Sequence, residues 1–126
     1  MEGLNDLEQA VLDKLLAGDH PRLAILRAQA ASARLASHET TGVGFFCIFD
    51  IPTRVASMDV PDFTIDDVDG ELQGLAHGAG FVLFVHGGRL KMLEGFSYDE
   101  PWPEQIRDFS LRYTDPKREE VLSKLG

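Results

Sequence analysis

Gly87-Gly88 stands between two apolar runs, 80–86 and 89–96, and no other feature narrows the fold as much. Glycine accepts the positive backbone angles that a tight primed turn demands at both central positions, so the pair predicts a two-residue β-hairpin. A loop that short also fixes register. It sets His86 opposite Arg89, Val85 opposite Leu90, Phe84 opposite Lys91, Leu83 opposite Met92, Val82 opposite Leu93, Phe81 opposite Glu94 and Gly80 opposite Gly95. Both sides of such a ribbon are apolar, and Glu94 shares one of them with Phe81, Leu83, Leu90, Met92 and Phe96.

Upstream, Leu4, Leu7, Val11, Leu12, Leu15 and Leu16 recur at three- and four-residue spacing and form one helix stripe that stops at Gly18. Pro21 suits the first turn of a second helix, capped by Asp19 or His20. Its stripe of Leu23, Leu26, Ala30 and Ala33 runs to about Ser37. Two such helices predict an antiparallel hairpin with an alanine-rich packing face. From Gly42 to Ile51 the chain turns dense in Phe and β-branched residues, apolar at both parities, which predicts a central strand covered on both faces. A further strand is expected within 63–72, at a wet edge, because Asp66, Asp67, Asp69 and Glu71 crowd it. Phe109, Leu111 and Tyr113 alternate as a strand, while Ile106, Phe109 and Tyr113 also fit a helix; a short helical turn followed by a strand at 109–113 is the reading adopted. Residues 117–125 form a terminal helix anchored by Val121, Leu122 and Leu125. Together these elements predict one α+β domain over 1–126: an N-terminal helical hairpin on an antiparallel sheet of four to five strands, with a short C-terminal helix.

Charge and cysteine content narrow the function. Twelve Lys and Arg against 21 Asp and Glu leave a net charge of −9, which disfavours nucleic-acid phosphates and anionic membranes and favours a basic protein partner. No apolar run approaches the roughly 20 residues of a membrane-spanning helix. The acidic first residues (Glu2, Asp6, Glu8) do not read as an export signal, and a single cysteine, Cys47, suits a reducing compartment; the expected location is cytoplasmic. Strands apolar on both faces need a second cover, which raises the expectation of a homodimer.

Few residues suggest chemistry. A carboxylate on an apolar sheet face is desolvated, so Glu94 is a candidate proton donor or ligand anchor, with His77 and Tyr98 as helpers; equally, it lies at the sheet margin and reaches water. Tyr98 and Trp102 sit in a proline-punctuated loop, where large amphipathic rings serve as interface anchors or, for Trp102, as a plug closing the core. Opposed Gly80 and Gly95 leave a gap that the alanine face of the second helix or a ligand would fill. His20, His38, His77 and His86 show no metal-ligand spacing, so no metal site is written locally, although one assembled in space stays open. Cys47 falls in an apolar strand and reads as a small hydrophobe. His86-Gly87-Gly88 resembles the oxyanion loop of α/β-hydrolases, yet 95–99 lacks the Gly-x-Ser-x-Gly elbow that would carry the nucleophile. No glycine loop has the Lys-Ser/Thr ending of a phosphate cradle, and nothing in the sequence calls for a cofactor.

The run Gly80-Phe81-Val82-Leu83-Phe84, Gly88-Arg89-Leu90, Leu93-Glu94-Gly95-Phe96-Ser97-Tyr98 and Trp102-Pro103 resembles a pattern in small bacterial proteins, some of them suspected immunity partners of secreted toxins. The resemblance covers about the last third of the chain, with weaker similarity at Gly42-Val43-Gly44-Phe45-Phe46, and brings no catalytic residues with it. It points to a family and not to an activity; such immunity proteins are commonly acidic, and the net charge of −9 suits a basic toxin, so a non-enzymatic binding or inhibitory role is the expectation. A small-molecule binder or enzyme built on Glu94 is the alternative.

Overall fold

Asn5 starts the first helix by a reciprocal capping box. Its side chain accepts the Glu8 N–H at 2.8 Å while the Glu8 carboxylate accepts the Asn5 N–H at 3.0 Å. In the computed structural model, which describes residues 1–114 and 117–125, this helix is α1 (Asp6–Leu15) and buries Leu7, Val11, Leu12 and Leu15. Helix α2 (Pro21–Ser32) is capped by the His20 ring, which accepts the Arg22 N–H. It buries Leu23, Leu26 and Gln29, while Ala24, Ala28 and Ala31 face outward. The expected stripe of Leu23, Leu26, Ala30 and Ala33 packs on the core, while the other helical alanines make up the solvent face. Helix α1 lies over the middle of the sheet and α2 over the hairpin.

The second helix ends about five residues before the sequence predicts, and Arg34–Thr40 becomes strand β1. Little in Arg-Leu-Ala-Ser-His-Glu-Thr favours a strand by itself. What holds it is antiparallel pairing with the strongly β-forming β2 (Gly44–Asp50), whose outer edge would otherwise be bare. The expected strand within 63–72 is two, β3 (Phe63–Ile65) and β4 (Val68–Leu72), interrupted at Asp66-Asp67. Strands β5 (Ala79–His86) and β6 (Arg89–Ser97) form the hairpin, and β7 (Phe109–Tyr113) the last strand. No helical turn precedes β7. Helix α3 (Lys117–Lys124) closes the chain, with Val121 and Leu125 buried as anchors and Leu122 half-buried; Asp115 and Pro116, the expected boundary before it, lie outside the described residues. The sheet is antiparallel and has seven strands, not the four to five expected, in the order β1-β2-β6-β5-β4-β7, with β3 sharing the β4 flank of β5.

The hairpin departs from the simple register. Gly87 and Gly88 take φ of 60° and 72°, as the turn requires. His86 faces Arg89 and Val85 faces Leu90, but a bulge at Lys91 then shifts the pairing one place, so that Phe84 faces Met92, Leu83 faces Leu93, Val82 faces Glu94 and Gly80 faces Phe96. The reason is burial. In the unshifted register Glu94 would stand with Phe81 under the helices; the extra residue delivers Leu93 and Gly95 there and turns Glu94 to the other side.

All three helices contribute to one core on one side of the sheet, which also takes Phe45, Cys47 and Phe49 from β2, Phe81, Leu83 and Val85 from β5, and Leu93 from β6. The opposite side carries Phe46, Ile48, Val82, Phe84, Met92 and Phe96, all half-buried and none in that core. The expectation that β2 is covered on both faces is thus corrected to one.

Candidate functional site

Two regions carry the residues of interest. The first is the open face of the sheet. Cross-strand pairing lines up Phe46 with Glu94, Ile48 with Met92, and Phe84 with Met92, so the half-buried apolar side chains form one contiguous patch. Charged residues border it: Glu39 beside Phe46, Glu94 within it, and Asp69 and Glu71 on β4, against Arg112 on β7 and Lys91 at the bulge. Gly80 belongs to this side, and the gap above it is filled by the Phe96 ring and the Tyr98 hydroxyl, neither by helix nor by ligand. The gap at Gly95, on the covered side, is filled by the Phe45 ring. A depression of about 490 Å³ lies on the open side between Ile48, Phe84, Met92 and the β3 residues Phe63 and Thr64.

Of the four residues singled out in the sequence, His77 and Tyr98 come together, in a depression of about 760 Å³ whose floor is Asp69, Glu71, Ser110 and Arg112. The loop holding His77 is tied to Glu100, whose carboxylate accepts the Ala76 and His77 N–H groups at 2.8 and 3.0 Å. Those two hydrogen bonds to the ionised form, with a smaller contribution from the His77 charge, hold the Glu100 carboxyl below its usual range. Glu94 lines neither this depression nor the groove described next. Trp102 is elsewhere, half-buried edge-on to Phe45 at 5.6 Å, with its backbone N–H donating to the Gly42 carbonyl, in the manner of a plug.

The second region lies beside Trp102 and was invisible in local spacing. Glu8 in α1, His38 in β1 and Cys47 in β2 converge so that one ligand atom from each lies within 4.8 Å of the others. Only 1% of Glu8 is exposed, and Cys47 is fully buried. The Glu8 Oε2 meets His38 Nε2 at 2.6 Å, and the imidazole, 32% exposed, stacks parallel to the Phe45 ring. His38 and Cys47 are direct cross-strand partners, which sequence separation hides. Burial, reinforced by the charge of Glu8 and a hydrogen bond to it, pushes the Cys47 thiol up to about 12. Cys47 is therefore no activated nucleophile, yet it is more than a small hydrophobe. A groove of about 770 Å³ opens onto Glu8 and His38 and is bordered by Thr40, Trp102 and Arg107.

No helix among the described residues is long and apolar enough to cross a membrane. No protein-family model, curated protein or solved structure matches this chain.

Proposed function

We propose that this chain is a non-enzymatic binding or inhibitory protein, of the immunity type its C-terminal pattern resembles, that holds a basic protein partner on the open face of its sheet within a reducing compartment. The observation that carries the reading is a sheet with helices over one side and six large apolar side chains, Phe46, Ile48, Val82, Phe84, Met92 and Phe96, only partly buried on the other. A contiguous apolar patch of that kind is the usual core of a protein contact, and a polar rim is its usual border. Here the border carries the carboxylates of Glu39, Asp69 and Glu71, with that of Glu94 inside the patch, on a chain of net charge −9. That complements a basic protein and speeds its encounter. A second copy of the chain brings the same carboxylates against themselves, which argues for a hetero-partner over a homodimer through this face.

The test is capture from the organism that encodes the chain, followed by reconstitution of the complex from purified components. Wild type is expected to hold one basic protein stoichiometrically. Phe84→Asp, on the open face, should lose it, and Ala28→Asp, on the outer face of α2, should keep it. No stoichiometric partner, a partner that survives Phe84→Asp, or a dimer of the chain itself that Phe84→Asp dissociates would each overturn the reading.

A further inference from the structure

We propose that Glu8, His38 and Cys47 form a binding site for one borderline-soft divalent cation, zinc foremost, with a fourth coordination position open to the groove beside Trp102.

The donor set is one oxygen, one nitrogen and one sulfur, the mixture that selects zinc and its neighbours over magnesium or calcium, which take oxygen alone. The fold has already placed each donor. Glu8 is held by the capping box, in which Oε1 accepts the Asn5 N–H and Oε2 is directed at His38. His38 lies parallel to the Phe45 ring with centroids 6.3 Å apart, and its partly exposed imidazole keeps some freedom to adjust. Cys47 sits in a central strand directly across from His38. Three ligands from a helix turn and two paired strands cost little ordering on metal binding, since folding has done that ordering first.

The distances fit with a small adjustment. Tetrahedral ligands at about 2.0–2.3 Å from zinc stand roughly 3.3–3.6 Å from one another. The three donor atoms lie within 4.8 Å, and the closest pair, Glu8 Oε2 and His38 Nε2 at 2.6 Å, needs to part by less than about 1 Å. The partly exposed imidazole on edge strand β1 is the group able to move.

Electrostatics favour the same assignment. The Glu8 carboxylate closes the capping box through Oε1 and meets His38 through Oε2, and the group buried beside it is a thiol, so an anionic oxygen, an imidazole and a sulfur already face one another. One divalent cation with a carboxylate, a thiolate and a neutral imidazole makes a neutral set. Binding releases the Cys47 proton to solvent, and the sulfur-to-metal bond replaces the S–H bond. The open fourth position faces a groove roomy enough for water or a small ligand atom.

The experiment uses the full chain stripped with a chelator and titrated with cobalt(II), then with zinc in competition. One cobalt per chain is expected, with the visible bands of a tetrahedral site, a near-ultraviolet thiolate-to-cobalt charge-transfer band, and displacement of both by one equivalent of zinc. Zinc should also raise the melting temperature. Glu8→Gln keeps the capping box and His38→Gln changes a partly exposed residue, so both are expected to fold; each should lower affinity at least about 100-fold. Cys47→Ser should abolish the charge-transfer band. Failure of cobalt to give that band with the folded wild type overturns the proposal, as does undiminished binding in Cys47→Ser and His38→Gln, which would move the cation to surface histidines such as His77 or His86.

Discussion

Gln29 in α2 and Leu90 in β6 are joined by a fully buried hydrogen bond, the Leu90 N–H donating to the Gln29 Oε1 at 2.9 Å. The same side chain donates through Nε2 to the carbonyls of Gly88 and Ala56, at 3.0 and 2.9 Å. One buried amide thus satisfies three backbone groups around the turn and fastens the helix layer to the hairpin and the 52–62 loop.

Gln29→Ala is expected to destabilise the chain by about 2–4 kcal/mol, because it leaves the Leu90 N–H and the Ala56 carbonyl without their partner in addition to opening a cavity, while the Gly88 carbonyl keeps the Met58 N–H. Urea denaturation followed by fluorescence measures it. A loss below about 0.5 kcal/mol, the size of an ordinary surface change, would show that water replaces the amide without penalty.

The turn glycines should differ from each other. A Cβ at Gly88 would stand 1.8 Å from the Met58 carbonyl oxygen, and φ there is +72°. At Gly87, φ is +60° but the space around a Cβ is open. Gly88→Ala is expected to cost about 3 kcal/mol or more, since overpacking against backbone adds to left-handed strain. Gly87→Asn, which tolerates that backbone, should stay within about 0.5 kcal/mol of wild type. Equal losses at the two positions, by the same denaturation assay, would mean that the loop at Met58 does not constrain the turn.

Local patterning made much of this architecture legible. The leucine stripe of α1, the two-glycine turn and the alternation at 109–113 each follow a short-range rule, and each element forms where that rule puts it. What escaped depends on partners distant in sequence. Strand β1 continues an alanine-rich helical run and becomes a strand only because the edge of β2 recruits it. The bulge at Lys91 answers a conflict between turn and core: the turn alone would bury Glu94, and the core prefers Leu93. Glu8, His38 and Cys47 are separated by 30 and 9 positions, so no spacing motif could join them; the one hint was a glutamate at the third position of a helix whose other apolar-facing residues are Leu7, Val11 and Leu12.

Acid should loosen the His77 loop. The Glu100 carboxyl is held below its ordinary value of 4.5 by the Ala76 and His77 N–H groups. A folded-state pKa below the unfolded one means that the tie is fully present above the unfolded pKa and is lost as pH falls through the folded pKa. The Ala76 and His77 amide resonances are therefore expected to titrate together, with a midpoint below 4.5. Glu100→Gln should abolish that titration. A midpoint at or above the ordinary value would show that the carboxylate does not accept these bonds in solution.

Asp67 and Arg118 form an ion pair whose carboxylate is wholly buried, Nη1 to Oδ2 at 3.1 Å, with Arg118 only 16% exposed. The arginine also donates to the carbonyls of Leu15 and Ala17 at the end of α1 and lies over the Tyr113 ring at 4.6 Å, so it joins α3 to α1 and β7. Asp67 Oδ1, however, has no hydrogen-bond partner, so the pair compensates its own burial incompletely. Two consequences follow from that imbalance. Arg118→Met strands an isolated buried carboxylate and is expected to cost about 3–5 kcal/mol, whereas adding Asp67→Leu to it should recover most of the loss, because an apolar pair removes the uncompensated charge. A double-mutant cycle by guanidinium denaturation reads the coupling directly. Strict additivity of the two changes would show that Arg118 acts through the α1 carbonyls and Tyr113 alone, and that Asp67 is held by its surroundings without it.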